Sequence, residues 1–365
     1  MGDTSSRARS TVNDQRANNF DLVRLVAAAQ VVLWHGIEHL KLDAPPLLQW
    51  LLGSFSGVPI FFVVSGYLVA GSLARSTSLS SYFRNRALRI FPGLWVCFAM
   101  TFISIAYFRG VGDAGARELL LWTLANLGGF SYTPGFLKNF ATGAVNGSLW
   151  TIPVELQFYV ALPVLIFFFK GRPVRLALAF ILAIGFGLIY VYWVRSMVTG
   201  SQAAALGRLL LPWLYMFMVG MLFQLHKDWV LRWVEGRFFW WLIFYLVWII
   251  FLRRIGFNTV GNIATPLALL PLAALVLAAA FTKRDLAYRF LRGHDLSYGT
   301  YLYHMPVINI VVAIQLTADG GIRLAIVVVT TLVLAVLSWW LVERPALSLK
   351  PRPGAARFTV SGGIK

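Results

Sequence analysis

The sequence predicts an all-α protein, a polytopic membrane helical bundle of about ten transmembrane helices with both termini cytoplasmic. Three observations lead there. Of the 365 residues, 59% are hydrophobic and only 13% charged, whereas soluble domains are about half apolar and about a quarter charged. The apolar residues fall in runs of roughly 17 to 25, the length that crosses a hydrocarbon core of about 30 Å. The net charge of +18 sits in short gaps between those runs, which is the bias of cytoplasmic loops. It does not form the single basic surface that nucleic acid requires. The expected surroundings are therefore a lipid bilayer, with no nucleic-acid partner, and the 14 Trp and 13 Tyr suit many membrane interfaces.

Residues 1–20 are polar, carry Arg7, Arg9 and Arg16, and lack an apolar signal core, so they read as a mobile cytoplasmic tail. Spans are expected at about 22–40, 57–74, 89–108, 149–169, 175–194, 208–225, 238–252, 262–282, 296–316 and 322–342. Together, residues 21–345 form one transmembrane domain. The Pro-, Gly- and Arg-rich residues 346–365 read as a second cytoplasmic tail. An eleventh run, RELLLWTLANLGGF at 117–130, is short for a span, and a crossing there would reverse the charge pattern of every later loop. It reads as an interfacial or re-entrant helix. With ten spans, 23 of the 32 lysines and arginines face the cytoplasm. The one cysteine, Cys97, lies inside an apolar run, which excludes disulfides and cysteine metal sites.

Chemistry concentrates at a few polar residues inside these runs. Arg24 and His35 in the first span are eleven residues apart, so on a helix they share a face and stand about 16 Å apart along the axis. An imidazole deep in lipid needs a partner and a purpose, which makes His35 the first catalytic residue to consider. The segment NGSLWTIPVELQFY, 146–159, carries Glu155 at about the depth of His35 when each is counted from its own end of the membrane. A carboxylate beside an imidazole fixes its tautomer and stabilises the imidazolium; the competing reading is a structural ion pair with an arginine. YFRNRALRIFP, 82–92, supplies Arg84, Arg86 and Arg89. The last two share a helix face suited to bidentate phosphate binding, or to plain retention of positive charge. FFVVSGY brings Ser65, Gly66 and Tyr67 to mid-membrane, for a ligand or for close helix packing. SYGTYLYHMP carries Tyr301 and His304, and counting places His304 only about 12 Å deep, less well placed than His35 to meet Glu155, so that it either hydrogen-bonds the donor or braces helices. Glu343 closes the last span beside the loop arginines. No nucleotide-binding glycine fingerprint and no zinc-type histidine spacing is present, so no metal site is expected.

In order, Arg-x10-His, Ser-Gly-Tyr, Arg-x-x-Arg with Ile-Phe-Pro, Ser-Leu-Trp-x4-Glu-x-x-Phe-Tyr, Ser-Tyr-x-x-Tyr-Leu-x-His-x-Pro and Glu-Arg-Pro span residues 20–345. This resembles the integral-membrane acyltransferase-3 family, O-acyltransferases of cell-surface or exported glycans in bacteria. The resemblance implies an acyl-CoA-dependent enzyme of the bacterial cytoplasmic membrane. It would use acetyl-CoA by default as co-substrate, hold no permanently bound cofactor and act on a glycan or glycolipid. It implies that Arg24, His35 and Glu155 are catalytic and that Arg84, Arg86, Arg89, Ser65 and Tyr67 bind acyl-CoA. Ser148, Trp150, Tyr159, Tyr301, His304 and Glu343 are then supporting or substrate-binding positions. Some relatives carry an added extracytoplasmic esterase-like domain; a chain ending soon after its tenth span is expected to lack it.

On this reading His35, oriented by Glu155, is either the general base on an acceptor hydroxyl or a transient acyl carrier. The rival class is a secondary transporter or glycan flippase with His35 and Glu155 as a proton relay, against which stands the lack of a visible repeat. An inactive relative that only binds partners would not need all these residues. Acceptor, acyl chain and oligomeric state are not written in the sequence.

Overall fold

A computed structural model describes residues 18–350 except 170, 199, 263 and 264. The tails expected at 1–20 and 346–365 therefore lie largely outside the described residues. Where they are described they are structured. Phe20 already begins a helix, and Arg344–Ser348 is a helical turn.

The helices used below are α1 Phe20–His39, α2 Pro46–Ser54, α3 Gly57–Arg75, α4 Leu79–Phe108, α5 Ala116–Leu127 and α6 Thr151–Phe169. They continue with α7 Pro173–Ile189, α8 Leu214–Leu225, α9 Lys227–Val234, α10 Phe238–Arg254, α11 Pro266–Phe281, α12 Ser297–Ala313 and α13 Gly320–Ser338. No strand occurs among the described residues. The boundaries follow local chemistry. Prolines open α2, α7 and α11, where a missing N–H costs nothing. Ser78 caps α4 by accepting from Ser81 N, and Asp319 caps α13 by accepting from Gly321 N.

Outward faces are apolar. Val160 and Phe167 of α6, Ile181 and Phe186 of α7, Trp240 and Val247 of α10, and Val329 and Leu341 around α13 are all exposed. Such a surface is stable only in lipid. Six helical segments are long and apolar enough to cross a membrane: Phe20–His39, Pro46–Arg75, Leu79–Phe108, Gly147–Phe169, Pro173–Val194 and Gly320–Ser348. A seventh results if α9 and α10, bent by 84° at their junction, make one span. α8, with the turn before it, and α11 are shorter apolar helices. The protein is thus all-helical and multi-pass. The run expected at the interface forms α5, twelve residues or about 18 Å, with Trp122 buried against Phe98 and Phe102 of α4.

Two packings position the polar residues. α3 and α8 touch backbone to backbone at Gly66 and Gly220. A Cβ on Gly66 would overlap the Phe217 carbonyl, and one on Gly220 the Val63 carbonyl. The Ser-Gly-Tyr glycine is therefore a packing residue. α12 is buried from Ser297 through Asn309. It runs parallel to α1, pinned by Arg24 to Asp295 just before α12 and by His35 to His304 within it.

Candidate active site

At the Arg24 end, Asp295 is the hub. One of its oxygens accepts from Arg24 Nη1 and Arg89 Nη2, each at 2.5 Å, while the other accepts from Ser297 N at 3.2 Å and Ser297 Oγ at 2.5 Å. Arg89 also donates to Glu343 at 3.3 Å, and Glu343 accepts from Ser338 Oγ at 3.0 Å. A π-helical turn, Trp339–Glu343, brings that carboxylate inward. Burial raises the Asp295 pKa, but Arg24 and Arg89 outweigh it and hold the carboxyl below its ordinary range. Two guanidiniums face two carboxylates, and a third, Asp21, is near enough to act on Arg24, Arg89 and Asp295.

Arg86 is different. Its guanidinium lies 5.8 Å over the Tyr159 ring and donates only to Ser72 Oγ at 3.2 Å, and its buried Nε has no partner among the described residues. Lys350 lies close by; burial, then Arg86 and Arg89, push its ammonium down to about 8. Arg24, Arg86 and Arg89 line a chamber of about 90 Å³ with Ser65, Glu155 and Tyr159. Three guanidiniums against the one carboxylate of Glu155 in its lining make this chamber suited to an anion.

The chamber accounts for some expected residues and redirects others. Glu155 does not meet His35. It accepts from Ser65 Oγ at 3.0 Å and Tyr159 OH at 2.5 Å, and lines the basic chamber. Equal depth in a membrane fixes only one coordinate, and α6 brings Glu155 to Ser65 of α3 instead. Tyr67 also departs from its expected place. It is two residues from Ser65, hence on the opposite helix face, and its ring packs on Phe20 and Phe281. Arg84 is exposed and donates to the Leu349 carbonyl at 3.0 Å. The arginine pair does not act as one clamp, because Arg89 is committed to carboxylates and Arg86 is not.

His35 sits at the other end of α1. Its Nδ1 is 2.9 Å from His304 Nε2, and His304 Nδ1 is 2.7 Å from the Tyr301 carbonyl oxygen. His304 is fully buried and takes the place beside His35 that Glu155 was expected to fill. The depth count erred because it assumed that both helices start in one plane. From the Arg24–Asp295 contact the offsets are eleven and nine residues, about 3 Å apart in rise.

His35 lines a second chamber, of about 170 Å³, with Gln30, Trp34, Glu38, Asn262 and Trp150. Val58 and Tyr301 line both chambers and form their common wall. The Tyr301 hydroxyl contacts Thr151 Oγ1 at 2.9 Å and donates to the Ser148 carbonyl at 2.7 Å. Trp150 stacks near Trp213 with centroids 4.9 Å apart. Asp295 escaped the sequence reading. Its signal is an acid at the mouth of an apolar run, two residues before a serine able to cap it.

A family model described as an acyltransferase domain matches residues 18–343. The chain is similar to Nodulation protein 10 of Rhizobium leguminosarum bv. viciae, 35% identical over 360 residues, which cover 94% of this chain and 97% of the relative. An O-acetyl transferase of Shigella phage Sf6 is 27% identical over 351 residues, 91% of this chain and 97% of the relative. The peptidoglycan O-acetyltransferase OatA of Listeria monocytogenes is 24% identical over 329 residues, 81% of this chain but 52% of the relative. No solved structure matches.

Proposed function

The chain belongs to the acyltransferase-3 family, and from that premise we propose that it is an acyl-CoA-dependent O-acetyltransferase of the bacterial cytoplasmic membrane. It crosses ten times with both termini inside, and moves acetyl to a hydroxyl of an extracytoplasmic carbohydrate. O-acetyltransferase relatives along most of the chain support the reaction class. The observation that carries the rest is the pair of chambers, one basic and one holding His35, with Val58 and Tyr301 between them. A donor with charged phosphates fits the first, and a neutral acceptor fits the second.

In this reading the donor phosphates lie on Arg86 and Lys350 while the Arg24–Asp295–Arg89–Glu343 cluster holds the chamber open. The thioester reaches the common wall. His35 lies in the acceptor chamber, which favours general-base catalysis over attack by the imidazole itself. It takes the hydroxyl proton, the oxygen adds to the thioester carbonyl, the C–S bond breaks, and the proton passes from His35 to the departing thiolate. Neither metal nor resident cofactor takes part.

The test is transfer of radiolabel from acetyl-CoA in inverted membrane vesicles of the native host, with His35→Ala at matched protein level. Wild type should label a carbohydrate fraction, and the variant should lose about 10²- to 10⁴-fold in rate. Equal labelling by both overturns the role of His35. Labelling by neither, with substrate merely crossing the bilayer, points to transport.

A further inference from the structure

We infer that His304 is a positioning residue: its hydrogen bond to His35 fixes the His35 tautomer and leaves Nε2 as the basic nitrogen. The inference rests on the acyltransferase reading only for what that nitrogen then does. The tautomer itself follows from the contacts.

The Tyr301 carbonyl fixes the first hydrogen. A carbonyl oxygen only accepts, so His304 Nδ1, 2.7 Å away, carries a hydrogen. Charging His304 as well would bury a cation in the apolar interior, and no carboxylate contacts it among the described residues. The ring is then neutral, and its Nε2 is a lone pair. That lone pair faces His35 Nδ1 at 2.9 Å. Two lone pairs do not hold at that distance, so the hydrogen is on His35 Nδ1. A neutral His35 therefore has a bare Nε2, for which no protein hydrogen bond is found among the described residues.

Other groups around His35 do not compete for the role. His39, one turn on, has its ring centroid 5.7 Å away, and Glu38 lines the same chamber without contacting the ring. The two partnered rings are nearly parallel, 18° apart with centroids 5.1 Å apart. They thus lie side by side in nearly one plane, the arrangement of an in-line N–H···N hydrogen bond.

The arrangement does what a carboxylate does in a nucleophile–histidine–acid chain, without burying a charge. When the acceptor hydroxyl gives its proton to Nε2, His35 becomes an imidazolium whose Nδ1–H still donates to His304. When the thiolate leaves, Nε2 returns that proton and the neutral pair is restored. No proton is gained or lost over the cycle.

The test is NMR of the detergent-purified chain with ¹⁵N-labelled histidine, the His35 signals being assigned by their loss in His35→Asn. The expected result is a protonated Nδ1 and a bare Nε2 on His35. His304→Leu, which removes the acceptor, should populate both tautomers and lower kcat by about ten- to a hundredfold while KM changes less than about twofold. His304→Gln, whose amide oxygen can accept in place of Nε2, should restore the native tautomer and most of kcat. A native His35 protonated on Nε2 overturns the inference, as does an unchanged tautomer in His304→Leu. Should that variant not fold, the native spectrum alone decides. Because the spectrum is read without turnover, failure of the acyltransferase reading would leave it standing.

Discussion

The two ends of α1 bury polar groups in opposite ways. At the Arg24 end the solution is ionic, with two guanidiniums locked to two carboxylates and each carboxylate further held by a serine. At the His35 end it is neutral, a ring, a second ring and a peptide carbonyl in one hydrogen-bonded line. Charges are tolerable where water and a charged ligand are near. A proton acceptor of moderate basicity belongs where the dielectric is low. The difference separates residues that build the site from residues that act in it, a separation invisible when arginines, acids and histidines are simply counted.

The sharpest way to break the comparison is Asp295→Asn. It leaves Arg24 and half of Arg89 without a counter-charge, and the loss should be about 3–5 kcal/mol, read from unfolding in detergent. Because the Asp295 carboxyl is held below its ordinary pKa, its contribution is complete above about pH 4 and is lost as pH falls further. That acid limb should vanish in the variant. Arg86→Ala should do the reverse. Stability should stay near wild type because no carboxylate depends on it, while KM for acetyl-CoA rises about ten- to a hundredfold for one lost charged contact. An Arg86→Ala variant with unchanged KM would move the donor site elsewhere. The smallest effect is at Lys350. Its ammonium is present below about pH 8 and lost above it, so KM for acetyl-CoA should rise a few-fold between about pH 7 and 9. Lys350→Met should flatten that rise.

The sequence made the helices legible because long apolar runs have few alternatives, and the Arg24–His35 spacing was legible because both residues sit on one unbroken helix. Across helices the pairing of Glu343 with a loop arginine held, at Arg89, whereas the pairings judged by depth failed. Glu155 and His35 count to a similar depth, yet each makes its hydrogen bonds to different residues. His304 was misjudged by about one and a half turns because helix starts are staggered, and the stagger is set by Asp295, a loop residue with partners 271 and 206 positions away. Tyr67 shows the limit of motifs: three adjacent residues, Ser65, Gly66 and Tyr67, serve a carboxylate, a helix crossing and an aromatic cluster in turn.

The ionic cluster also has a consequence for biogenesis. Arg24 and Arg89 leave the ribosome more than 200 residues before Asp295 and Glu343, their counter-ions. During insertion these two cations lack those two counter-ions, although Asp21, already made, acts on both. Their place at a helix margin lets water solvate them until the last helices arrive.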